Sequence, residues 1–233
     1  MRFSELAQYF RRLAGTSGRN ALVEILAELF AKTPAEEVPG TTYLVQGRLA
    51  PFFEPVEIGL GNNYVADAIA RAFGGNRARV LERFDRLGDI GEAAAEIAAE
   101  SGSSPAPNNT PPVREIFDQL LRIARTTGAG SVGAKVEAFA SLLGDLDPLS
   151  CNYLCRVPLG RMRLGVGDPT VLDAFSLARG GRLAHGPQAG RIRAPAILRP
   201  DGPARGALSL PRRSLAAGSG GCVSQSAHYV WAI

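Results

Sequence analysis

The chain has 233 residues, 45% of them hydrophobic and 21% charged, a composition that suits one good-sized globular domain or two small ones. It excludes collagen-like and mucin-like chains, and no apolar run approaches the roughly 20 residues a spanning helix needs, so no membrane partner is expected. The net charge of +4 is uneven: residues 179–233 hold eight Arg, no Lys and one acid, Asp201, for +7, which leaves −3 on residues 1–178. An argument for nucleic-acid binding therefore has to rest on basic residues clustered on one surface, not on overall basicity.

The opening Met1-Arg2-Phe3-Ser4-Glu5-Leu6 is amphipathic and carries an acid where a secretory leader would have an apolar core, so no export signal is expected. Three cysteines are too few and too oddly placed for a disulfide framework. The expected setting is reducing and cytoplasmic.

The first 100 residues read as successive short helices. Phe3, Leu6, Phe10 and Leu13 recur at helical spacing. Gly15-Thr16-Ser17-Gly18 stops that helix and offers hydroxyl caps to the next, whose stripe is Leu22, Ile25, Leu26, Leu29 and Phe30. Thr33-Pro34-Ala35-Glu36 reads as a Thr N-cap followed by Pro at the first helical position. A short helix is expected over 41–50, closed by Pro51 and Pro55. Asn62 or Asn63 should cap a helix carrying Val65, Ile69, Ala72 and Phe73. Val80, Phe84 and Leu87 continue the pattern, and Gly88-Asp89 separates that helix from one running to about Glu100.

Residues 101–112 are rich in Ser, Pro and Asn and read as an exposed linker between two helical lobes. Helical stripes resume with Val113, Ile116, Phe117, Leu120 and Ala124, then Val136, Phe139, Ala140 and Leu143, then Leu149, Tyr153 and Val157. Asp168-Pro169-Thr170 caps a last helix holding Val171, Leu172 and Phe175. Alternating strand patterns are scarce. The expected fold class is all-α, a two-lobed multi-helix domain ending near Ala178. Beyond it nine Gly, five Pro, ten Ala and eight Arg fill 55 residues, a composition expected to form a disordered basic tail.

Three motifs bear on chemistry. Gly128-Ala129-Gly130-Ser131-Val132-Gly133-Ala134-Lys135 has the glycine spacing of a phosphate-binding P-loop. However, its Lys comes one position late, no Ser or Thr follows, and a helix precedes it where a P-loop needs a strand. It reads first as a Gly-rich turn; its glycines and Ser131 could also let backbone approach a phosphodiester chain at a helix N-terminus, with Lys135 one turn in. Gly160-Arg161-Met162-Arg163-Leu164-Gly165-Val166-Gly167-Asp168 is the most informative stretch. Two arginines at i and i+2 point the same way in an extended turn, and glycines remove bulk around them. That suits guanidinium groups reaching phosphates or a minor groove, though a joint between helices with solvated arginines fits equally well. Cys151 and Cys155 share a predicted helix face without a His or Cys at ligand spacing, so they read as buried thiols rather than metal ligands. His185 and His228 have no partner acids nearby.

Four segments together resemble the N-terminal DNA-binding domain of ATP-dependent DNA ligases of the archaeal and bacterial type similar to the eukaryotic replicative enzyme. They are RFSELAQYFRRLAGTSGRNALVEILAELF (2–30), YLVQGRLAPFFEPVEIGLG (43–61), TTGAGSVGAKVEAFASLL (126–143) and, most specific, LGRMRLGVGDPTVLDAFSLA (159–178). The resemblance implies an all-helical domain that binds nicked duplex DNA through the minor groove and backbone. It places Gly160, Arg161, Arg163 and Gly165 at the DNA, with Gly130, Ser131 and Lys135, and more weakly Thr16, Ser17 and Arg19. It implies a monomer working near the nucleoid in replication, repair and recombination, with ATP and Mg²⁺ serving the full-length enzyme. Pro158 departs from the family, where an aliphatic residue continues a helix, and an early helix end is expected there. The adenylation motif Lys-x-Asp-Gly is absent: only Lys32 and Lys135 occur, and neither is followed by x-Asp-Gly. The chain alone is thus expected to be inactive, and it reads as a truncated or frameshifted ligase product. A stand-alone DNA-binding module and a helical protein-interaction scaffold are the alternatives.

Overall fold

A computed structural model describes residues 1–102 and 105–179; the tail expected over 179–233 lies, but for Arg179, outside the described residues. Among those described are ten α-helices, and the only pairing of extended backbone is an isolated bridge between Arg2 and Pro112. The all-α expectation holds.

Helix α1 (Phe3–Ala14) and α2 (Arg19–Lys32) pack on each other through their buried stripes. Phe3, Leu6, Phe10 and Leu13 are all fully buried, each contributing about 1.5–3 kcal/mol of transfer free energy. The cap of α2 differs from expectation. Gly18 occupies the N-cap with no side-chain bond, because the Thr16 hydroxyl turns back to donate to the Arg12 carbonyl at 2.7 Å. Thr33 likewise ends a helix instead of starting one: its hydroxyl donates to the Leu29 carbonyl, 2.8 Å away. Pro34 then leads into a 3₁₀ turn (Ala35–Glu37).

The short helix expected over 41–50 sits earlier, as α3 (Val38–Val45) with Pro39 in its first turn. Gly47, at φ +69°, stops it. The Gly47 N–H bonds the Leu44 carbonyl and the Arg48 N–H bonds the Tyr43 carbonyl, the paired closure in which glycine takes the left-handed position. Helix α4 (Asn62–Ala72) is capped by Gly61, with Asn62 already its first residue. In α5 (Arg77–Leu87) the Asn76 side chain caps the start and Gly88, at φ +71°, ends it. Asp89 caps α6 (Ile90–Ser101), accepting from the Gly91 and Glu92 N–H groups.

Part of the expected linker packs against the domain. Thr110 is fully buried. The Ser4 hydroxyl donates to the Pro107 carbonyl, and the Phe3 N–H donates to the Pro111 carbonyl. A polar, Pro-rich stretch buries little hydrocarbon, but its carbonyls can serve the N–H groups that a helix start leaves unpaired. After it come α7 (Val113–Arg125), α8 (Ser131–Gly144), α9 (Pro148–Arg156) and α10 (Asp168–Ala178). The helices do not sort by their order along the chain: α6 and α1 pack on α9, α10 on α2, and α4 on α8. One continuous core runs from Phe3 to Leu177.

On the outer side of α1 and α2, Glu28 accepts from Arg12 (2.7 Å), Lys32 (2.9 Å) and the Tyr9 hydroxyl (3.0 Å). These donors, Arg12 foremost, pull its carboxyl down to about 2. A carboxyl depressed on folding adds stability that is full above its unfolded value and fades as pH falls through its folded one. The Glu28 contribution should therefore be lost between about pH 4.5 and 2. Solvent screening limits it to roughly 1 kcal/mol. Urea unfolding of Glu28→Gln and the parent, followed from pH 6 to pH 2.5, should show the gap between them closing; a constant gap would contradict the assignment.

Candidate nucleic-acid interface

The Gly/Arg stretch begins where a proline stops a helix. Helix α9 ends at Arg156, and Val157–Leu159 form a 3₁₀ turn around Pro158, the early end expected of a residue without an N–H. Gly160, at φ +60°, reverses the chain. The next residues alternate: Arg161 and Arg163 are exposed, while Met162 and Leu164 are buried. This period-2 pattern puts both arginines outside and anchors the turn through the two apolar side chains between them.

The anchorage is close. A Cβ on Gly47 would stand 3.0 Å from the Met162 Cγ and 3.4 Å from the Gly160 carbonyl carbon, so the end of α3 lies directly on the turn. Gln46 Nε2 donates to Asp168 Oδ1 at 2.6 Å, and Arg48 pairs with the same oxygen at 3.2 Å. Together Val45, Gln46 and residues 160–167 line a shallow open depression. At the far end of the turn Gly165, at φ +66°, sits over Leu22 of α2.

Arg163 is the one non-glycine residue with positive φ (55°) among the described residues. Its NH1 lies 3.1 Å from Asp89 Oδ2 and its NH2 donates to the Gly88 carbonyl at 3.3 Å, yet 57% of its side chain stays exposed. Asp89 itself is buried. Its Oδ1 accepts from the Gly91 N–H at 2.8 Å and from Arg156 Nε at 3.0 Å. One carboxylate thus ties the start of α6, the end of α9 and the Gly/Arg turn together. Arg161, by contrast, is exposed and shows no ion pair among the described residues.

The other expected site residues divide. Arg19 lies on the same helix as Leu22, near the turn, but its guanidinium is 2.7 Å from the fully buried Asp173 carboxylate. Thr16 spends its hydroxyl on α1, and Ser17 is exposed. Gly130, at φ +77°, is the N-cap of α8 and Ser131 its first residue. Lys135 is turned inward: its ammonium donates to the Ile58 carbonyl at 2.8 Å and to the Ala124 carbonyl near the end of α7 at 3.4 Å. Its charge is spent on a loop carbonyl and on one in the last turn of α7, where a cation suits the helix C-terminus. Sequence reasoning missed Gln46, Arg48, Asp89 and Arg156, because their grouping depends on helices distant in the chain; Gly88-Asp89 signalled only a helix break. Cys151 and Cys155 are buried, and burial pushes both thiols well up, so they are protonated core residues. No group of His, Cys, Asp and Glu that could hold a metal occurs among the described residues.

Fold and turn together define an all-α domain that presents a glycine/arginine turn, backed by a buried carboxylate, at the junction of α2, α3, α6 and α9. The family model described as the DNA ligase N terminus matches residues 2–176. A probable DNA ligase of Dictyoglomus thermophilum is 40% identical over 179 residues, covering 77% of this chain and 30% of that protein. DNA ligase 2 of Thermofilum pendens is 34% identical over 189 residues, with 78% of this chain and 31% of that protein covered. A DNA ligase of Cenarchaeum symbiosum is 35% identical over 188 residues, covering 81% and 32%. The chain belongs to the DNA ligase N-terminus family and spans about 30% of the length of these relatives.

Proposed function

We propose that the domain binds nicked duplex DNA through the minor groove and the backbone, as the N-terminal domain of an ATP-dependent DNA ligase acting in replication, repair and recombination. The observation that carries this reading is the Gly160–Gly167 turn, with exposed arginines at 161 and 163 and left-handed glycines at 160 and 165 where backbone can come close to a ligand. Guanidinium groups serve phosphates and groove edges, and glycine permits close approach. Arg161 is the freest cation of the turn. Gln46 and Arg48 extend the surface, and Gly130, Ser131, Thr16, Ser17 and Arg19 remain subsidiary candidates; Lys135 acts through the fold. The partner is DNA alone, met by a monomer.

The ATP and Mg²⁺ chemistry of ligation is assigned to parts other than these residues. Neither lysine suits an adenylated nucleophile. Lys32, lying over the Tyr9 ring and hydrogen-bonded to Glu28, has its ammonium held above the ordinary value by these two neighbours, and Lys135 is committed to two carbonyls. A nucleophilic amine has to be deprotonated and free.

Titrating a nicked duplex at several salt concentrations tests the proposal. Affinity should fall steeply with salt, and Arg161→Ala should weaken it by roughly 1–3 kcal/mol while reducing the salt slope by about one for a lost phosphate contact. Equal binding by parent and variant at low and moderate salt would remove Arg161 from the interface. No salt-dependent binding by the parent would favour a protein-interaction scaffold instead.

A further inference from the structure

We infer that Asp89, a buried residue with no access to a ligand, is a positioning residue for DNA binding, acting through Arg163; the inference rests on the DNA-binding reading above. A non-glycine residue with φ of 55° is held against its own backbone preference, so something must repay that conformation. Beside the buried anchors Met162 and Leu164 on either side, the structure offers one carboxylate for the Arg163 side chain itself: Asp89, 3.1 Å from NH1, helped by the Gly88 carbonyl 3.3 Å from NH2. Asp89 is itself immobilised. It caps α6 through the Gly91 and Glu92 N–H groups and accepts from Arg156, whose side chain is buried at the end of α9.

A guanidinium has five N–H donors in a planar fork. The two contacts to Asp89 and Gly88 account for part of that fork, and the side chain stays 57% exposed, which leaves donors for a phosphate or a groove edge. The ordering cost of a long side chain is then met by folding and not by binding. The same contact pins the turn from below, between the anchors Met162 and Leu164, so it also sets where Arg161 emerges.

A double-mutant cycle on a nicked duplex decides the matter, using Asp89→Asn, Arg163→Ala and the double variant. Asparagine keeps an oxygen for the α6 cap and removes the charge that holds the guanidinium. Thermal unfolding followed by circular dichroism confirms that each variant is folded at the assay temperature. Arg163→Ala should weaken binding about tenfold and lower the salt slope by about one. Asp89→Asn should weaken binding several-fold in the parent and hardly at all in the Arg163→Ala background. Equal weakening in both backgrounds would make Asp89 merely structural and overturn the inference. So would tighter binding, the result of simply deleting a negative charge near DNA. A parent chain that fails to bind nicked duplex would instead defeat the DNA-binding reading, and this inference with it.

Discussion

Asp89→Ala is expected to destabilise the domain by about 3–5 kcal/mol, the usual consequence of stripping one partner from a buried ion pair. Two separate losses combine. The N-terminal N–H groups of α6 lose their side-chain acceptor, a change costing about 1 kcal/mol on its own. Arg156, buried beside Tyr153 and 3.0 Å from the carboxylate, is left with a more distant acid, Glu92 at 3.9 Å, as its remaining carboxylate partner. For a domain of this size the melting temperature should drop by about 10 °C or more. Scanning calorimetry is the direct measurement, and Asp89→Asn, which preserves a capping oxygen, should lose less than Asp89→Ala. A variant melting within a degree or two of the parent would show that the α6 cap and the buried Arg156 contact are energetically idle.

Gly91 supplies the second large effect. It lies in the first turn of α6, buried against α9, and a methyl group placed there would fall inside van der Waals contact of the Asn152 backbone carbonyl and 3.0 Å from Arg156 Nε. A backbone oxygen in mid-helix cannot swing away, so Gly91→Ala must push α6 and α9 apart. That overpacking costs about 1–3 kcal/mol or more, against a gain of about 1 kcal/mol from alanine's better helix propensity; the clash wins because the Asn152 carbonyl can recede only if α9 moves with it. Gly133→Ala in α8 is the matched control. Nothing lies within 4 Å of its added carbon, so it should be neutral or stabilising by about 0.5–1 kcal/mol. In urea unfolding the Gly91→Ala midpoint should fall, while the Gly133→Ala midpoint should hold or rise. A Gly91→Ala midpoint that does not fall would mean that α6 can slide on α9.

Much of this architecture was legible in the chain itself. Spacing of Phe3, Leu6, Phe10 and Leu13, or of Val136, Phe139, Ala140 and Leu143, dictates a helix and the face it buries, because 3.6 residues per turn is a local property. The i, i+2 spacing of Arg161 and Arg163 likewise announces two arginines on one side of a turn, whereas the fold alone shows Met162 and Leu164 buried as anchors between them. Helix ends were less legible where several groups compete locally. Thr16 and Thr33 could each cap a following helix, yet both hydroxyls close the helix behind them, a choice between near-equal bonds that packing decides. The Pro-rich 105–112 segment follows the same logic: its sequence reports low hydrophobicity, and only the fold reveals that its carbonyls finish the start of α1.

What the sequence by itself determined is the all-α class, the position of most helices, the family and the turn worth testing. Tertiary structure alone decided which cations are free. Arg19, Arg163 and Lys135 stand with Arg161 as candidate cations on paper, Arg19 the weakest, but Asp173, Asp89 and the carbonyls of Ile58 and Ala124 claim them to different degrees. Those partners lie 154, 74 and up to 77 positions away along the chain. A side chain's charge is written in its residue type, whereas its availability depends on whatever the fold brings within hydrogen-bonding distance of it.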